Sequence, residues 1–186
     1  MKLSLYYTFL IMPFCAYAAS QQDIDVAAKN FVMSDKTSAC LTEYYPKGDL
    51  TNEEKTVFIF SSLEKILDNP EPFSTIYGWK ISKLYSYIDN LPTDDIPLKY
   101  VPILFRALRV GAPMLTADVI IIDALDRIVG DNPGYKLSYI ERVHPARDVR
   151  VALIDKWEEI FENNKVEIMK KREYKRKYYG KKIPLD

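Results

Sequence analysis

Apolar side chains recur along this chain at intervals of three and four residues, the spacing that puts them on one face of an α-helix. In residues 23–33 the stripe is Ile24, Ala27, Ala28, Phe31 and Val32. A short helical turn is expected within 37–45, before the loop Pro46-Lys47-Gly48-Asp49. Thr51-Asn52-Glu53-Glu54 has the form of a capping box, in which the Thr hydroxyl accepts from the third amide of the helix and Glu54 reaches back. The helix it opens runs to about 67, with Val57, Phe60, Leu63, Ile66 and Leu67 on one broad face. Asp68-Asn69-Pro70-Glu71-Pro72 stops it, because proline has no donor and restricts the residue before it.

The same reading gives a helix over 74–89 with Ile81, Leu84, Tyr85 and Ile88 in its stripe and Tyr77 and Trp79 beside it. After the turn Leu91-Pro92-Thr93-Asp94-Asp95, Pro97 suits the first turn of a helix continuing through Val101, Leu104, Ala107 and Leu108 to about 109. Gly111-Ala112-Pro113 breaks the chain. Residues 119–122, Val-Ile-Ile-Ile, have strong strand propensity, but Ala124, Leu125, Ile128 and Val129 extend them at helical spacing. A central helix capped by Thr116 and closed by Gly130 is therefore expected. A short helix over 136–143 follows. A last helix capped by Asp148 runs to about 162, then bends near Asn163-Asn164 into the C-terminal residues. The fold expected is all-α, an irregular helical bundle or a short α-solenoid of about seven helices.

Residues 1–18 stand apart. Met1-Lys2 is followed by an uncharged apolar run, and Ala16-Tyr17-Ala18 is the small-x-small pattern read by signal peptidases. Fifteen apolar residues interrupted by Pro13 fall short of the ~20 that span a bilayer. The expectation is a signal peptide cleaved after Ala18, and export to a periplasm. Cys15 would leave with it, and Cys40 alone cannot close an internal disulfide. It is read as a small buried apolar side chain.

Charge divides the remainder. Residues 165–186 hold nine Lys and Arg against three Asp and Glu, while residues 19–164 hold 16 against 23. The organisation expected is one acidic all-α domain over 19–164 and a basic helical tail over 165–186, solvated at its end. The run Lys170-Lys171-Arg172-Glu173-Tyr174-Lys175-Arg176-Lys177-Tyr178-Tyr179 has a nucleic-acid-binding composition. Export argues against nucleic acid and favours a protein partner, with peripheral membrane contact through the tail.

Asp148-Val149-Arg150-Val151-Ala152-Leu153 resembles the second-helix signature of HEAT-type repeats, with Thr116-Ala117-Asp118-Val119 a degenerate echo that lacks the Arg. The resemblance covers at most residues 97–164. It implies stacked helix pairs that bury a shared core and offer a face to another macromolecule.

Reactive groups are sparse. One His and one remaining Cys argue against zinc, haem or iron–sulfur ligation, and six Gly against a glycine-rich phosphate loop. No metal site and no cofactor is expected. Ser62-Leu63-Glu64-Lys65 matches Ser-x-x-Lys, but on a helix these are merely neighbours one turn apart. His144 sits before Pro145 without a catalytic context. Asp118, Asp123 and Asp126, or Asp94 and Asp95, could pair as the acid and base of a helical peptidoglycan hydrolase. That is the enzyme alternative. Fourteen Tyr instead favour recognition, since Tyr supplies contact area with a polar tip. The function expected is non-enzymatic binding, in its sharpest form an immunity protein that occludes a toxin acting on the cell envelope. Asp94, Asp95, Tyr44 and Tyr45 are the candidate contacts.

Overall fold

The computed structural model describes residues 18–36, 40–46, 49–69, 75–92, 96–110, 115–130, 132–133 and 147–180. They form six α-helices and no strand: α1 Gln21–Met33, α2 Asn52–Leu67, α3 Thr75–Asn90, α4 Val101–Val110, α5 Leu115–Val129 and α6 Arg147–Tyr179. Single turns of 3-10 helix lie at Leu41–Tyr44 and Leu98–Tyr100. The all-α expectation holds, and residues 119–122 are helical. The helix expected over 136–143 falls outside the described residues, as do His144 and the break at 111–113.

Local signals account for three helix ends. Ser20 caps α1, with a reciprocal bond between Ser20 and Asp23. Thr51 and Glu54 close the box expected at the start of α2. Gly130 ends α5 at φ 66, a left-handed conformation that glycine adopts without penalty. Two expectations are corrected. Pro97 opens the 3-10 turn, one turn before α4. Helix α5 starts at Leu115 and α6 at Arg147, so Thr116 and Asp148 lie inside first turns and do not cap them. The expected continuation of the last helix into the basic tail holds, since α6 passes through Asn163 and Asn164 as one helix of 33 residues. Asparagine has modest helix propensity, and two of them cannot stop a helix supported on either side.

Every stripe residue expected on α1, α3 and α4 is buried. On α2 the buried face is wider than expected, adding Phe58 and Ile59, with Val57 at its edge. Ile154, Trp157 and Phe161 carry the contribution of α6, and one continuous apolar core joins all six helices.

The helices lie in two rows. Helix α4 packs on α2 and α6 in one row, and α3 packs on α5 in the other. Helix α1 packs mainly on α2 and touches the second row through Phe31, whose ring meets Trp79 of α3 edge-on with centroids 6.2 Å apart. Contacts of α1 with α2, α2 with α3, α4 with α5 and α5 with α6 fasten one row to the other. The first pair runs in one direction. Ala19 meets Glu54 at the N-terminal ends, and Val32 and Met33 share a hollow with Asp68 and Asn69 at the C-terminal ends. Residues 34–36, 40–46 and 49–51 belong to the connection between the two helices.

Polar side chains from neighbouring helices close three helix C-termini, where backbone carbonyls lack intrahelical partners. Lys80 of α3 donates to the Val32 carbonyl at 2.7 Å and to that of Ser34. Arg106 of α4 donates to the Leu67 carbonyl at 2.8 Å and pairs with Asp68 at 2.7 Å. The Trp157 indole N–H of α6 donates to the Gly130 carbonyl at 3.1 Å.

Candidate interaction surfaces

Tyr44 and Tyr45 sit at the end of the 3-10 turn, half-buried, on the connection from α1 to α2. The Tyr44 hydroxyl donates to Ser34 Oγ at 2.6 Å, and its ring meets Phe31 edge-on at 5.2 Å. Tyr45 meets Phe58 the same way at 5.2 Å. Burial pushes the Tyr45 phenol up to about 12, helped by the neighbouring Tyr87. Both rings therefore give one side to the core and keep only part of their surface for a partner.

Cys40 precedes this turn and is exposed, which corrects its expected burial. The nearby apolar residues Leu41, Tyr44 and Tyr45 turn toward the core, while Cys40 serves as the cap position and its N–H donates to Glu43 Oε1 at 2.9 Å. Hydrogen bonds from the Thr42 side chain and backbone hold the thiol below its usual range.

Asp94 and Asp95 fall outside the described residues. The flanking Leu91 and Ile96 are buried. The carboxylates weighed as an acid and base have separate settings on α5. Asp118 is buried, Asp123 pairs with Arg127 one turn on at 2.9 Å, and Asp126 is exposed. Ser62 is wholly buried among apolar side chains, so Ser-x-x-Lys here is core packing with Lys65 at its edge. Among the described residues no three His, Cys, Asp or Glu side chains converge as a metal site requires. No described helix is long and apolar enough to cross a membrane.

A hollow of about 350 Å³ opens between the C-terminal ends of α1 and α2 and the start of α3. Val32, Met33 and Tyr77 line it with Lys29 and Lys65. Behind it lies Lys80, fully buried, its ammonium 5.7 Å from the Phe31 ring centroid, 5.5 Å from Tyr77 and 5.6 Å from Trp79. Burial holds this ammonium below the usual lysine range, with Asp35 opposing the shift.

The C-terminal half of α6 is the most distinctive surface. Arg172 is 4% exposed and donates to the Ile96 carbonyl at 2.7 Å. Ile168 and Met169 pack against the core beside it. The tail is thus anchored two turns beyond Lys165, and residues 173–180 after the anchor are exposed. On the opposite side of the helix, Tyr174 stands three or four residues from each of Lys170, Lys171, Lys177 and Tyr178. Tyr174 and Tyr178 are 56% and 62% exposed, and their rings lie 4.4 Å apart. Lys177 stands over the Tyr178 ring at 5.5 Å, and Tyr179 is 69% exposed.

Sequence reasoning missed Lys80 and Arg172, although a signal existed for each. Lys80 occupies a stripe position, four residues before Leu84 and one before Ile81. Arg172 continues the series Phe161, Lys165, Ile168 and Met169. A charged residue at an apolar register marks a buried polar contact, because long cationic side chains can bury their stems while the head finds an acceptor.

No family model, characterised protein or solved structure matches this chain.

Proposed function

We propose that the protein is a non-enzymatic binding protein of the bacterial envelope, most specifically an immunity protein that occludes a toxin acting there. The observation that carries this reading is the anchored α6 stripe. Large aromatic side chains more than half exposed, set among cations on a helix held by Arg172, offer rigid contact area at little entropic cost. The chemistry fits an acidic surface on the partner, steered by the lysines and gripped by the tyrosines. The two rows of helices supply the stiffness that occlusion of a cleft needs, and the HEAT-type resemblance over 97–164 agrees with that use. Tyr174 and Tyr178 replace Tyr44 and Tyr45 as the leading contacts, because the latter pair packs partly on the core. Asp94 and Asp95 remain candidates.

The test is co-expression with the product of the neighbouring gene. A 1:1 complex on size exclusion is expected, weakened at least about tenfold by Tyr174→Ala/Tyr178→Ala, as loss of two interface aromatics implies. Absence of a complex, or a complex indifferent to that change, rejects this surface. A second reading has an observation of its own: Lys175, Arg176 and Lys177 spread cations around α6 beyond Arg172. A fluid layer of anionic headgroups accommodates such a distribution. Flotation with anionic vesicles, lost with residues 165–186, would favour it.

A further inference from the structure

The starts of α1 and α2 meet at Ala19. Its backbone N–H donates to Glu54 Oε1 at 2.7 Å, and the other oxygen of that carboxylate accepts from the Thr51 N–H, also at 2.7 Å. Ala19 is half-buried and packs against the core, while Ala18 is exposed. The bond between them follows Ala16-Tyr17-Ala18, the small-x-small end of the leader.

We infer that Glu54 is the receptor for the amino terminus that leader removal creates: once the Ala18–Ala19 bond is cut, the new α-ammonium of Ala19 is ion-paired with the Glu54 carboxylate and staples α1 to α2. The inference rests on reading residues 1–18 as a cleaved leader. The covalent step is a hydrolysis by an exported-protein signal peptidase. One water adds across the amide, Ala18 leaves with the carboxylate, and Ala19 keeps its nitrogen, which takes up a proton at neutral pH. Nothing is oxidised or reduced.

The nitrogen need not move. Cleavage turns a neutral amide donor into a cationic one at a site already shaped for it, and charge-assisted hydrogen bonds are roughly twice as strong as neutral ones. The receptor is ionised in advance, because hydrogen bonds from the Thr51 backbone and side chain, with the Ala19 N–H, hold Glu54 below the usual carboxylate range. The charged side chains at the two helix starts are Asp23 and Asp25 on α1 and Glu53, Glu54 and Lys55 on α2. Their acidic excess favours an ammonium against the positive ends of the two helix dipoles. Processing would thus strengthen the tie between the first two helices.

The full chain is expressed in an exporting bacterium, and the exported protein is sequenced from its amino terminus and weighed intact. A start at Ala19 is expected. Retention of residues 1–18, or a start elsewhere, overturns the leader reading and the receptor with it. On protein that starts at Ala19, the pH dependence of selective N-terminal acylation gives the pKa of the α-amine, in the folded protein, in denaturant and in Glu54→Gln. Glutamine keeps the bond from the Thr51 N–H through its one amide oxygen, and removes the charge and the second acceptor oxygen that faces Ala19. The folded wild type should titrate at least about one unit above the ~7.7–8.0 of an unperturbed terminus, and react about tenfold more slowly at pH 7 than the variant. A start at Ala19 with an α-amine no higher folded than in denaturant overturns the receptor and leaves the leader reading standing.

Discussion

Half-buried Tyr45 and buried Lys80 show how one residue is tuned by its surroundings. Tyr45 has a folded pKa of about 12, raised by burial above the ~10 of a free phenol. Between those values the unfolded chain loses a proton that the folded chain keeps, so its contribution is complete below pH 10 and disappears as pH climbs toward 12. Tyr45→Phe should flatten the fall of urea stability across pH 10–12 by up to about 1 kcal/mol, since the ring is half in solvent. An identical slope in the two proteins would contradict the assignment. Tyr87 and Tyr100, both raised by burial, retain part of the effect in the variant. Lys80 works the other way. Its lowered folded pKa means that its cost is relieved, and stability gained, as pH rises toward the unfolded value of ~10.4. Cys40 shows the limit of residue-type preferences: cysteine is often buried, yet here the backbone turn puts it outside.

Among the elements, α6 depends on a contact that composition conceals. Its last turns are rich in Lys and Arg, a composition that suggests fraying, yet Arg172 ties them to the Ile96 carbonyl. Arg172→Ala leaves that buried carbonyl without its donor. A stability loss of about 1.5–3 kcal/mol is expected, the range for hydrogen bonds to a charged group. Amides 173–179 should exchange at least about tenfold faster, while those of α2 slow down or quicken only with the global change. Unaltered exchange at 173–179 would show that the end of α6 stands without the anchor. The capping box of α2 was legible beforehand because it is local: a hydroxyl and a carboxylate three residues apart satisfy each other's backbone neighbours. The starts of α5 and α6 lie two residues before those that caps at Thr116 and Asp148 imply, within the margin by which helix ends vary.

Across the whole molecule, the two indoles report on opposite ends of one core. Trp79 on α3 lies beside Phe31 of α1, and Trp157 on α6 lies beside Phe105 of α4, at 5.9 Å. Because a single apolar cluster joins them, unfolding should be one transition. In Trp79→Phe and in Trp157→Phe, the fluorescence of the remaining indole should change at the same denaturant concentration as far-ultraviolet circular dichroism. A gap between the two signals in either protein would reveal an end that melts separately. The tail belongs to this unit at least as far as Arg172, although its charge sets it apart in the sequence.

What the sequence determined by itself was every property that repeats over a few residues: the all-α class, the buried stripes of α1, α3 and α4, the Thr51–Glu54 cap and the glycine that closes α5. These follow from helical periodicity and from hydrogen bonds within one turn. Only the tertiary structure decided which helices share a row, that α1 and α2 run in one direction, and that Lys80, Arg106 and Trp157 close the ends of other helices. It also decided that Glu54 meets Ala19 and that Arg172 meets Ile96. Those pairings join residues 27 to 76 positions apart, and no short-range pattern records which buried carbonyl a distant cation or indole will satisfy.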